Sequence, residues 1–237
     1  MITTSQLPDV LADFEAAARA HPDRIAVLSD GVPLTYAELA QKVAARASEL
    51  GPGPGAVEVA AVRAPETVVE LFAALTPGGA YCPIDPAFPV ERRAAMTEAL
   101  AAGVPADIAY VLFTSGSTGQ PKPVLTPRVA ISTVAASLRA LFAIEPEDRV
   151  LQFASLNWDT CFEEILPALT AGATPLFDTP AHTRSLPRLL RLIRPPRPTV
   201  HAPPPPFWHA AWRPLAQRGG SLPPRLRRPA LVARRAA

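Results

Sequence analysis

Apolar residues recur at helical spacing near the start of the chain, at Leu7, Val10, Leu11, Phe14 and Ala18, and predict an amphipathic helix that His21-Pro22-Asp23 ends. Residues 24–29 and 32–34 read as two short strands joined by an Asp30-Gly31 turn. Thr35 followed three residues later by Glu38 has the form of a capping box, which opens a helix running to Leu50-Gly51. Leu39, Val43, Ala47 and Leu50 mark its buried side. Beyond it the pattern predicts a strand over 57–62 and a helix over 65–75. Pro65 suits the first turn of that helix, and Val68, Leu71, Phe72 and Leu75 share one side. A further helix is expected over 90–102, and the apolar run 108–113 suits a strand buried on both faces. Residues 131–142 predict a helix with Val134, Leu138, Leu141 and Phe142 apolar. Residues 150–156 predict a strand, 157–166 open another helix, and 168–177 lead into a strand. Helices and strands alternate, so the pattern by itself specifies an α/β protein.

Composition narrows this. The 237 residues are 49% hydrophobic, enough for a folded body, but include 30 prolines. No apolar run reaches membrane-spanning length, and the first residues lack the basic and apolar regions of a secretory signal. Cys82 and Cys161 fit no metal or redox spacing and read as reduced, packed thiols, so a cytoplasmic setting is expected. The net charge of +2 conceals a division: all 21 acidic residues lie at or before Asp178, whereas 12 arginines and no acid follow it. The chain divides accordingly into a body, 1–178, and a Pro/Arg-rich tail, 179–237, read as degraded or disordered. Such a tail could act as a polyproline ligand or hold nucleic acid by charge, but the expectation is no selected partner, nucleic acid included.

The candidate chemistry sits after the 108–113 run. Thr114, Ser115, Gly116, Ser117, Thr118 and Gly119 place four hydroxyls and two glycines in six residues, followed by Pro121 and Lys122. Glycines let successive backbone N–H groups approach a ligand, an arrangement suited to an anion, and Lys122 adds a fixed cation. A Ser/Thr/Gly run is more often a surface loop, and the order of residues is not the Walker pattern. The string T-S-G-S-T-G-x-P-K directly after an apolar strand resembles the phosphate loop of the adenylate-forming (AMP-binding) superfamily. That superfamily includes acyl-CoA synthetases, luciferases and the amino-acid-activating adenylation domains of non-ribosomal peptide synthetases. L-T-Y-A-E-L at 34–39 and G-G-A-Y-C-P-I-D-P at 78–86 are similar to two further stretches of adenylation domains, both structural in the family.

The resemblance implies an incomplete large N-terminal subdomain of the adenylate-forming fold, with a mostly parallel sheet and flanking helices. It departs from the family in two places. Pro105-Ala106-Asp107 leads straight into the loop's own strand, so one strand of the family sheet is absent, leaving either unpaired neighbours or a new pairing. Pro123 and Arg128 stand where the family commonly has glycine and histidine; Arg128 could contact phosphate in the histidine's place.

W-D-T-C-F-E-E at 158–164 resembles the F-D-x-S-x-x-E stretch in which the aspartate holds a substrate's α-ammonium. That role falls on Asp159, with pocket-wall roles on Thr160 and Glu163. Without the resemblance, the helix dipole explains Asp159 well enough. A buried carboxylate facing a fatty acid would be unpaired and costly, so an amino acid is the expected substrate. Glu163 would favour a cationic side chain such as ornithine or lysine, although one residue of helical phase would turn it to solvent. The implied activity is formation of aminoacyl-AMP and pyrophosphate from an amino acid and ATP, with Mg²⁺, before transfer to a carrier-protein phosphopantetheine thiol. Nothing in this sequence resembles the later motifs that grip adenine, ribose and Mg²⁺. The expectation is therefore an adenylation-domain fragment inactive alone. The alternatives are an interaction protein working through its basic tail, or part of an acyl-CoA synthetase.

Overall fold

The computed structural model describes residues 8–76, 78–115 and 120–177. Within them the elements run α1 (Val10–Ala20), β1 (Ile25–Ser29), β2 (Val32–Thr35), α2 (Tyr36–Leu50), β3 (Ala56–Ala60), α3 (Pro65–Leu75) and β4 (Ala80–Ile84). They continue with α4 (Val90–Leu100), β5 (Ile108–Ser115), β6 (Pro121–Pro127), α5 (Arg128–Leu141), β7 (Arg149–Gln152), α6 (Thr160–Thr170) and β8 (Thr174–Phe177). The segment 179–237 lies outside the described residues, as does Asp178.

Local chemistry explains the early elements. The amide of Leu11 donates to the Asp9 carboxylate at 2.9 Å, starting α1. Thr35 and Glu38 close the expected capping box: the Glu38 amide donates to the Thr35 hydroxyl at 3.2 Å and the Thr35 amide to the Glu38 carboxylate at 2.8 Å. Tyr36 is fully buried, and its hydroxyl donates to the carbonyls of Ala173 at 2.7 Å and Leu169 at 3.1 Å. The tyrosine of L-T-Y-A-E-L therefore ties α2 to the C-terminal end of α6.

Parallel pairing dominates, as expected, but is divided between two sheets. One has the order β2-β1-β8-β7 and the other β3-β4-β5-β6. Each contains two parallel pairings and one antiparallel one. Strand β4 pairs directly with β5 through Tyr81 and Tyr110.

Helix α6 joins the two sheets. Nine of its residues are buried. Phe162 stacks on Tyr110 at 4.4 Å between ring centroids and meets Tyr81 edge-on at 6.0 Å. The same helix packs against β7 and β8 of the other sheet, so one core runs from Phe14 and Phe72 to Phe162 and Phe177. Cys82 and Cys161 are both free and buried. Burial pushes the Cys82 thiol up to about 12 and the Cys161 thiol well above its usual value.

Three features go beyond or depart from the sequence expectations. Residues 121–127 form a strand, antiparallel to β5, in spite of Pro121, Pro123 and Pro127. The strand lies at a sheet edge, and its prolines occupy alternate positions, so the missing donors fall on one side. Helix α5 begins at Arg128, three residues early, directly after Pro127. Its buried positions are Ile131, Ser132 and Ala135, while Val134 and Leu141, expected on an apolar face, are 46% and 70% exposed. The polar Ser132 is buried because its hydroxyl accepts the first amide of α1, from Val10, at 3.1 Å.

Candidate functional site

The β5–β6 hairpin carries the hydroxyl-rich loop. Its register sets Thr114 opposite Lys122 and Ser115 opposite Pro121. Gly116, Ser117, Thr118 and Gly119 lie outside the described residues, so the structure fixes the two ends of the loop. Thr114 and Lys122 are both exposed.

Below the hairpin is a cavity of about 480 Å³. Its walls include Thr114 and Thr126 from the hairpin, Arg92 and Met96 from α4, and Asn157, Trp158 and Asp159 from the turn before α6. A second cavity of about 170 Å³ lies between α5 and α6, lined in part by Val134, Asp159, Glu163 and Leu166. Asp159, Tyr110 and Thr126 border both spaces. Burial pushes the Tyr110 phenol up, opposed by its hydrogen bond with Thr126 directly across the ladder.

Asp159 occupies the N-cap position of α6 with helical backbone angles, and its side chain makes no capping hydrogen bond. Capping therefore does not account for the carboxylate, which instead borders the junction of the two cavities. Glu163, one turn further along, is half-buried and lines the smaller cavity. Thr160 is half-buried and borders neither of these two spaces. The hairpin threonine and Asp159 thus come together on one cavity, Glu163 joins them through the second, and Lys122 stands outside both on β6.

Arg128 is committed elsewhere. Its guanidinium donates to the Leu75 carbonyl at 2.8 Å, to the Ala106 carbonyl at 3.3 Å, and to the Gly79 carbonyl. It ties the end of α3 and the approach to β4 to the start of α5, which corrects the expectation that it is available to phosphate.

Sequence reasoning also passed over the group that holds the Asp159 turn. Glu164 is 4% exposed and fills the final glutamate position of the F-D-x-S-x-x-E pattern. Its carboxylate accepts the amides of Phe153 at 2.9 Å and Ala154 at 3.0 Å, and the Gln152 amide at 3.2 Å. Arg63 closes the network, donating to the Gln152 side chain at 3.2 Å and to the carbonyls of Phe153 at 3.2 Å and Ala154 at 3.0 Å. Burial pushes the Glu164 carboxyl up to about 8, against these donors and Arg63. The strand end 152–154 is thereby pinned five residues before Asp159. Among the described residues no group of three His, Cys, Asp or Glu side chains could hold a metal ion. No helix among them is long and apolar enough to cross a membrane.

Comparison with known proteins agrees with this layout. The sequence model of the family described as "AMP-binding enzyme" matches residues 14–104 and 100–228. The chain is 33% identical over 223 residues to tyrocidine synthase 3 of Brevibacillus parabrevis, covering 76% of this chain and 3% of that protein. It is 30% identical over 251 residues to the isonitrile lipopeptide synthase of Streptomyces coeruleorubidus, covering 86% of this chain and 17% of that protein. Among solved structures, the N-terminal subdomain of NpsA from Klebsiella oxytoca superposes with a TM-score of 0.73 at 24% identity, over 86% of this chain and 63% of that one. The nonribosomal peptide synthetase FmoA3 gives 0.76 at 25% identity, over 92% of this chain and 27% of that one. The chain thus spans a small part of these synthetases and under two thirds of the NpsA subdomain. It belongs to the AMP-binding enzyme family and corresponds to the N-terminal part of an adenylation domain of the nonribosomal peptide synthetase type.

Proposed function

We propose that this chain is the nucleotide- and substrate-holding portion of an amino-acid adenylation domain. The observation that carries the reading is that Thr114, at the root of the hydroxyl-rich loop, and Asp159 line the same cavity. In the intact reaction a substrate carboxylate oxygen attacks the α-phosphorus of ATP. The bond to the bridging oxygen breaks, leaving aminoacyl-AMP and pyrophosphate, and a carrier-protein phosphopantetheine thiol later takes the acyl group.

The loop from Thr114 through Ser115, Gly116, Ser117, Thr118 and Gly119 to Lys122 would hold the departing phosphates by hydroxyl, amide and ammonium donors. Asp159 would receive the substrate's α-ammonium. Glu163, bordering the adjoining smaller cavity, favours a cationic side chain such as that of ornithine or lysine. Thr160, the first residue of α6, would take the neighbouring pocket-wall role. Mg²⁺, where it takes part, would neutralise phosphate charge; the described residues offer it no ligand cluster, and no step here is assigned to it.

Assayed by itself, this 237-residue polypeptide is expected to bind ATP without turnover. Calorimetric titration with ATP, and separately with L-ornithine, tests the reading alongside amino-acid-dependent pyrophosphate exchange. ATP binding without exchange is the expected result. Exchange above background would overturn the inactive part, and failure to bind ATP would overturn the whole.

A further inference from the structure

Strand β3 ends its sheet and pairs with β4 alone among the described strands. Its inner side is committed to that ladder: the Ala80 amide donates to the Gly55 carbonyl at 2.8 Å, and the Ala61 amide to the Ile84 carbonyl at 3.0 Å. Alternation along the strand therefore turns the amides of Ala56, Glu58 and Ala60 the other way, toward the open edge. Proteins guard such an edge with proline or with a charge laid along it. At the opposite edge of this sheet β6 contains three prolines, whereas β3, Ala-Val-Glu-Val-Ala, contains none. Its one charge is drawn off the edge, because the Glu58 carboxylate accepts the Thr97 hydroxyl of α4 at 2.7 Å.

Beside this edge an open groove of about 360 Å³ runs between β3 and α4, sharing no lining residue with the two cavities of the candidate site. Val59, Ile84 and the 65% exposed Val90 give it an apolar lining, and Glu58 and Arg93 give it one charge of each sign. Among the described residues neither charge belongs to an ion pair. A surface that carries a bare strand and both charges is complementary to a rotated copy of itself. We propose that this edge binds a second copy of the chain: the two β3 strands pair antiparallel about a two-fold axis, and Glu58 of each meets Arg93 of the other across the seam. The axis stands perpendicular to the sheet, so both α4 helices lie on one face and the two grooves open toward each other. A register that sets Glu58 opposite Ala60 keeps the two carboxylates from facing one another. The two four-stranded sheets become one, with main-chain hydrogen bonds supplying affinity and the crossed ion pairs fixing register.

Sedimentation velocity on the full chain over a dilution series tests this, and a dimer is expected at micromolar protein. Glu58→Arg and Arg93→Glu should each raise its dissociation constant about tenfold or more, and the double reversal should return it to within about threefold of the parent. Glu91→Arg, on α4 but outside the groove, should leave it within about twofold. Ala60→Pro removes an outward amide and no bond to β4, so it should also dissociate the dimer. In the unaltered protein, hydrogen–deuterium exchange of the 56–60 segment should slow as concentration rises; this readout needs no variant to fold. The proposal is overturned if the chain is monomeric throughout, if both single reversals leave dissociation unchanged, or if the 56–60 amides exchange equally fast in monomer and dimer. A monomer whose 56–60 amides are already protected would also overturn it, and would show the edge covered by another part of the same chain.

Discussion

Thr114 and Lys122 stand directly opposite one another in the β5–β6 ladder, one rung below the closing pair Ser115 and Pro121. The stretch from Thr114 to Lys122 therefore returns on itself, and its two ends lie only a strand spacing apart, about 5 Å. On the proposed reading, an anion held by the intervening residues would have a hydroxyl on one strand and an ammonium on the other as flanking donors.

Lys122→Met should weaken ATP binding by roughly tenfold, the magnitude of one charge-assisted contact. Because Lys122 is exposed on an edge strand, its thermal midpoint should stay close to that of the parent. Calorimetry paired with thermal unfolding checks both, and unchanged affinity would remove Lys122 from the phosphate site.

Asp159→Asn separates charge from helix capping. Asparagine is as good as aspartate at an N-cap, and the native side chain makes no capping bond, so stability should change by less than about 0.5 kcal/mol. Amino-acid binding should fall by tenfold or more, since the ammonium loses its counter-charge. Retained L-ornithine binding would show that the carboxylate serves another purpose.

Arg128→Met should behave in the opposite way. The carbonyls of Leu75, Gly79 and Ala106 lose a shared donor, at a cost of about 2–3 kcal/mol in urea unfolding. ATP affinity of the folded fraction should not change. A drop in ATP affinity without loss of stability would return Arg128 to the phosphate site.

Glu164 gives the stability a pH dependence of known sign. Its folded value, about 8, exceeds the ordinary 4.5, so across that window the folded chain holds a proton that the unfolded chain has released. The contribution is fully present below 4.5 and is lost as pH rises through 8, with a slope of at most about 1.4 kcal/mol per unit. Glu164→Gln should flatten this part of the pH–stability curve, as measured by urea midpoints at successive pH values.

Elements governed by neighbouring residues were legible in the sequence. The Thr35 and Glu38 cap, the Pro65 start of α3 and the apolar run of β5 each depend on contacts within a few positions, and each appears where expected. Strand β6 was not read from the sequence, and its three prolines are tolerable only because it lies at a sheet edge. The burial of Ser132 in place of Val134 depends on α1, 122 residues away, through the bond to Val10. Arg63 and Gln152, separated by 89 residues, carry no joint signal until the fold brings them together. Of the candidate site, Asp159 and the loop were named from a pattern of residues. The support behind Asp159 was not: Glu164 holds the pattern's final glutamate position, but its partners Gln152, Phe153 and Ala154 reach it only through the fold.

The two sequestered thiols supply a built-in reporter of disassembly. Cys82 sits at the centre of one sheet, in β4, and Cys161 on the helix that joins it to the other. A disulfide reagent such as Ellman's should stay colourless with the native chain, then register two equivalents once denaturant parts the layers. Should the two be released at different urea concentrations, the sheets come apart in sequence, and the order of labelling names which one goes first.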